Sequence, residues 1–159
     1  RPIGIDATNN IPAGTDGCPT GGEACMRVIS GMGTPVLWWM AFIALIVGVV
    51  WWIAGRDWRF GVPIVAAMST YLFWFPNADR PVFFFYAICI IPFTVTLLAM
   101  VMGLILGPKN GPRRRLGAII VGVAIAMVLA DFAYIYPVLT DGLLLRSEYY
   151  ARMWLQSWI

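Results

Sequence analysis

The chain has 159 residues, of which 60% are hydrophobic and 12% charged, with a formal charge of +3 and no histidine. The charged share is about half that of an ordinary soluble domain, and a mean hydropathy of +0.78 reflects several apolar runs that one water-soluble core of this size cannot absorb. The basic residues are scattered or flank apolar runs, which speaks against a nucleic-acid partner, and the lack of histidine removes triad chemistry and any mixed Cys/His metal site.

Residues 1–34 are rich in Gly, Pro, Asn, Thr and Asp and read as an irregular loop with at most a short helix near Met26 to Ser30. Cys18 and Cys25 lie in this loop. Their spacing is not that of a CxxC metal or redox centre, and a Cys18–Cys25 disulfide is expected if the loop faces an oxidising compartment. The third cysteine, Cys89, sits in an apolar run and reads as a packing residue. The first residue is Arg1, with no initiating Met and no signal-peptide pattern after it, so a piece of a longer protein is expected.

Four spans follow, at about 36–54, 61–75, 82–106 and 118–136, within a membrane domain of residues 35–137. Pro35 suits a helix's first turn, and VLWWMAFIALIVGVVWWIA after it is uncharged and of bilayer length, with paired tryptophans near each end as interfacial belts require. GRDWRF is a tight connection. The second span is short for a full crossing. PNADRP breaks the chain before the third, where Pro92 is expected to kink the helix. GPKNGPRRRLG is a solvated basic connection to the fourth, which Asp131 interrupts close to its end. Residues 138–159 are mixed, and LLLRSEYYARMWLQSWI fits an amphipathic helix on the interface.

The first and third connections hold Arg56, Arg59, Lys109, Arg113, Arg114 and Arg115 against one acid, Asp57. The other side holds Arg1, Arg27, Arg80, Arg146 and Arg152 against Asp6, Asp16, Glu23, Asp79, Asp141 and Glu148. That asymmetry puts the basic loops in the cytoplasm, and the loop 1–34, the PNADRP turn and the tail outside, where Cys18 and Cys25 could stay oxidised. The expected fold is therefore an all-α integral membrane bundle of four transmembrane helices, with an extracytoplasmic N-terminal loop and an amphipathic extracytoplasmic tail.

No phosphate loop, zinc pattern or paired catalytic carboxylates at helical spacing occur, so no catalytic or metal residue is assigned within the segment. Arg80 has two readings: a solvated turn residue that snorkels, or a guanidinium matched bidentately to a phosphate at the membrane surface, with the Tyr86 hydroxyl one turn on. Asp131 reads as a structural hydrogen-bonding group between helices, with direct acid-base work as the lesser alternative. The aromatics 73–75 and 83–85 are an interfacial belt or, alternatively, a groove for an isoprenoid tail. The Arg113–Arg115 cluster is a topology determinant that also attracts anionic lipid headgroups.

GTPVLWW opening the first span, RDWR in the first basic loop, WFPNADRPVFFFYA leading into IIPF, and DFAYIYPVLT followed by ARMWLQSWI together resemble the C-terminal four-helix region of actinobacterial protein O-mannosyltransferases. The resemblance covers nearly the whole chain and is most specific over residues 80–93. It implies a metal-poor membrane glycosyltransferase that takes mannose from polyprenyl-phosphate mannose and delivers it to Ser or Thr hydroxyls of secreted proteins at the outer face. No cofactor is implied; the partners are membrane lipids, the lipid-linked donor, the protein acceptors and the N-terminal part of the same enzyme. The family's acidic catalytic motif lies upstream of this segment, so no catalytic residue carries over, and the donor-phosphate role falls on Arg80. A competing reading is a non-catalytic four-helix membrane scaffold or assembly subunit. A transporter fragment is disfavoured because the one ionisable group within a span, Asp131, lies near its end and no internal repeat is visible.

Overall fold

The computed structural model describes residues 9–31, 33–72 and 88–154. They form two compact units, one of residues Pro35–Leu129 and one that joins Arg1–Thr34 to Ala130–Ile159.

The first unit is helical. Helix α1, Pro35–Ala54, starts on its proline and covers the first expected span, while α2 runs Trp58–Leu72. Arg56 between them takes a left-handed conformation, φ 53°, and Asp57 accepts a hydrogen bond from the Arg59 N–H at 3.1 Å. A short polar side chain there satisfies a donor that the first helical turn leaves unpaired, which is why GRDWRF suffices to reverse the chain. Helix α3 spans Ile91–Leu106 and α4 spans Arg114–Leu139. Pro92 stands in the first turn of α3, where its missing N–H costs nothing; the longer helix that it is expected to kink begins at residues outside the described ones. The expected start of the third span at residues 82–87 lies outside the described residues. Gly107 closes α3 with φ 68°, a conformation suited to glycine, and Arg114 Nη1 donates to its carbonyl at 3.1 Å. Helix α4 thus begins four residues before the expected 118, because Arg114 and Arg115 join the helix instead of the loop.

In α1 the small residues Ala41, Ala44 and Gly48 point inward, Ala44 being only 1% exposed, while Trp39, Phe42, Ile43, Ile46, Val50 and Ile53 point out, Ile53 at 70%. Small inside and large apolar outside inverts the pattern of a water-soluble helix and is what close-packed helices in lipid require. Helices α1 and α4 are long and apolar enough to cross a membrane; α3 is a shorter apolar helix. At 1.5 Å per residue, 20 residues in α1 make about 30 Å, the thickness of the hydrocarbon layer.

The core of this unit is Ala44, Phe60, Ile64, Leu97, Leu98 and Val101. Glycine lets the helices approach: a Cβ on Gly48 would stand 2.7 Å from Leu97 Cδ1, and one on Gly61 2.5 Å from the Trp52 ring. Gly48→Val is therefore expected to destabilise this unit by about 1–3 kcal/mol through overpacking. Gly122→Val, where a Cβ meets nothing within 4 Å, stays within about 0.5 kcal/mol. Unfolding in detergent or bilayers checks the pair, and equal shifts would refute the close approach.

The second unit corrects the all-α expectation. Strands β1 (Asn9–Ile11), β2 (Cys25–Arg27) and β3 (Leu143–Leu145) form an antiparallel sheet in the order β1-β2-β3. Met26 pairs with Asn10 on one side and Leu144 on the other. The short helix expected near Met26 to Ser30 is thus strand at its start, since Cys25–Arg27 takes its backbone partners from both flanking segments. The expected amphipathic tail helix is also shorter: Leu143–Leu145 is strand, and α5 runs only Arg146–Arg152. Met26, Val28, Val138, Leu144, Tyr149 and Met153 form its main core, and Ile11, Cys18 and Cys25 a second cluster. Cys18 and Cys25 are disulfide-bonded with their Cα atoms 5.8 Å apart.

Candidate functional site

The second unit brings segments from both ends of the sequence to one open groove of about 460 Å³, lined by Glu23, Ala24, Arg146, Ser147 and Tyr150. Two backbone donors fasten its walls together. The Arg146 N–H donates to the Ala24 carbonyl at 3.2 Å, continuing the β2–β3 pairing by one residue, and the Ser147 N–H donates to Glu23 Oε2 at 3.2 Å. The Leu145 N–H donates to Glu148 Oε2 at 3.3 Å, so both acids are spent at least in part on holding the β3–α5 junction.

The Arg146 guanidinium lies over the Tyr150 ring, 5.9 Å from its centroid. Tyr150 in turn meets Tyr149 edge-on with centroids 5.5 Å apart. On the other side of α5, Arg152 clamps the end of α4: its Nε donates to the Tyr134 carbonyl at 2.9 Å, its Nη1 to the Glu148 carbonyl at 2.8 Å, and its guanidinium covers the Tyr134 ring at 4.7 Å. Planar guanidinium groups suit this combined stacking and hydrogen bonding. One arginine is thus structural, while the other faces the groove.

Arg80 and Tyr86 lie outside the described residues. Asp131 is 6% exposed, on the part of α4 that belongs to this unit. It follows the exposed turns of α4 and precedes Phe132 and Tyr136, whose rings meet edge-on at 5.6 Å. It does not line the groove. Cys25 begins strand β2 one residue after Ala24, so the disulfide braces one groove wall. Among the described residues no three metal-ligating side chains of Cys, Asp or Glu meet. Glu23, Arg146, Ser147 and Tyr150 were not singled out in the sequence. Glu23 and Ser147 are 124 residues apart, and no local pattern signals that they touch.

The chain is similar to curated proteins from three actinobacteria. It is 37% identical over 146 residues to a protein of Mycolicibacterium smegmatis, 38% over 144 residues to one of Mycobacterium tuberculosis, and 32% over 146 residues to one of Corynebacterium glutamicum. Each match covers 89% of this chain, and each of these proteins is named polyprenol-phosphate-mannose--protein mannosyltransferase. The resemblance read from the sequence is thus borne out. The chain spans 27–28% of the length of these relatives. No family model matches the chain, and no solved structure does.

Proposed function

We propose that this chain is a membrane segment, the C-terminal one, of an enzyme that transfers mannose from polyprenyl-phosphate mannose to Ser or Thr hydroxyls of secreted proteins. The observation that carries the proposal is the identity of 32–38% over 89% of the chain to three proteins that share one mannosyltransferase name. In the transfer, the acceptor hydroxyl oxygen bonds to the anomeric carbon as the bond from that carbon to phosphate oxygen breaks. Polyprenyl phosphate leaves, and the hydroxyl proton passes to a carboxylate base. That base belongs to the remainder of the enzyme.

Four spans are proposed, with the two basic loops cytoplasmic and the N-terminal loop and C-terminal tail outside. The excess of Arg and Lys in the two loops supports the orientation, and a disulfide fits an oxidising outer compartment. Donor phosphate and acceptor hydroxyl must then meet at the outer interface, where the polyprenyl tail stays in hydrocarbon. Arg80 is proposed as the cation that faces the phosphate, with Tyr86 beside it, and Asp131 as a structural group.

A transfer assay in membranes tests this reading, with radiolabelled polyprenyl-phosphate mannose and a Ser/Thr-rich acceptor peptide. Label on the peptide from the full-length protein, and none from this segment alone, is the expected result. No label from either overturns the transferase reading in favour of a scaffold. In the full-length protein, Arg80→Ala is expected to lower transfer by about tenfold or more, the worth of one charge-assisted hydrogen bond, while membrane insertion is retained. Unchanged donor affinity and turnover would remove Arg80 from the site.

A further inference from the structure

We infer that the groove between Glu23–Ala24 and Arg146–Tyr150 receives the acceptor polypeptide, as an extended hydroxyl-rich segment; the inference rests on the transferase reading. Its walls are built rather than incidental. Glu23 and Ala24 are braced by the disulfide at Cys25 and by β2, Arg146 and Ser147 continue from β3, and the two sides are joined by the hydrogen bonds at 3.2 Å. A binding surface carried on paired strands keeps its shape without the ligand.

The charge of the groove selects the class of ligand. One carboxylate and one guanidinium line it, so an isolated anion meets Glu23 and an isolated cation meets Arg146. A neutral ligand rich in hydrogen-bonding groups suits both. Among the described residues, the Arg146 guanidinium makes no hydrogen bond or ion pair, and it lies over the Tyr150 ring. Its donors are therefore available to backbone carbonyls. Glu23 has spent one oxygen on the Ser147 N–H, which leaves the other to accept from an amide or a Ser/Thr hydroxyl. Tyr150, 39% exposed, offers a flat apolar face to proline rings and threonine methyls. The volume of about 460 Å³ lies within the range of small-ligand sites, roughly 300–1,000 Å³, and the groove is open, as an extended chain passing through requires and a single enclosed sugar does not.

The test uses the full-length enzyme in membranes with the labelled lipid donor and a Ser/Thr-rich peptide. Arg146→Gln and Tyr150→Ala are each expected to raise KM for the peptide about tenfold and to leave KM for the lipid donor unchanged. Unchanged hydrogen exchange at the amides of Met26 and Leu144, paired across β2 and β3, shows that the unit is still folded. As a second measurement, a thiol introduced by Ser147→Cys is expected to be alkylated more slowly when acceptor peptide is present, and at the same rate with free mannose. Unchanged peptide KM in both variants overturns the inference, as does a rise in donor KM, or protection of Ser147→Cys by mannose alone. Absence of transfer by the wild-type enzyme is a different outcome, for it removes the transferase reading itself.

Discussion

Leu144→Ala is expected to cost the sheet-bearing unit about 2–5 kcal/mol, the range for emptying a leucine site in a packed core. Leu144 is the middle residue of β3, pairs across from Met26, and packs with Met26, Val28, Val138, Tyr149 and Met153. All three strands have three residues, too few to hold a sheet by backbone pairing alone. The side-chain core must therefore supply the stability, and Leu144 is where β2, α5 and the end of α4 contribute to it together. Ile29, in the same unit but exposed, supplies the control: Ile29→Ala stays within about 0.5 kcal/mol. Hydrogen exchange at the amides of Met26 and Leu144 reads the difference directly, with faster exchange in Leu144→Ala only. Equal exchange in the two variants would show that this cluster does not hold the sheet together. Because Arg146 and Ser147 follow β3 immediately, loss of the core should also open the groove.

Replacing Cys18 and Cys25 together by serine is expected to lower the stability of the same unit by about 2–3 kcal/mol. The bond closes a short loop, with a sequence separation of 7, and the chain-entropy account gives a stabilisation of that order for so few residues. Both cysteines are buried, in a cluster with Ile11, so the serine hydroxyls also lose hydration there. Reductant should reproduce the effect in the wild-type chain and do nothing further to the double variant. Alkylation in denaturant followed by mass measurement is expected to modify Cys89 alone before reduction, since it is in no disulfide, and all three cysteines after it. Labelling of Cys18 and Cys25 without reduction would overturn the pairing.

Much of the helical unit was legible in the sequence because its determinants are local. A proline in the first turn, an uncharged run of bilayer length and a Gly-Arg-Asp reversal define α1 and the start of α2 within a few residues of each deciding side chain. Where the sequence reading went astray, a local rule met two outcomes. Pro92 suits a kink or a helix's first turn, and α3 has it in the first turn. Arg114 and Arg115 look like a loop by their charge, yet Arg114 serves the α3 terminus by reaching back to Gly107. An outward-facing loop with two cysteines suggested the Cys18–Cys25 pair but could not show what the pair braces.

The sequence by itself determined that this protein belongs in a bilayer, which helices carry the apolar runs, and which proteins it resembles, because hydropathy, helix breakers and identity are all written along the chain. The tertiary structure decided that the first and last segments form one sheet with a shared core and a groove. Three-residue strands have no periodicity of their own to detect, and Glu23 meets Ser147 across a sequence separation of 124, so contacts of that range become visible only when the backbone partners are seen together.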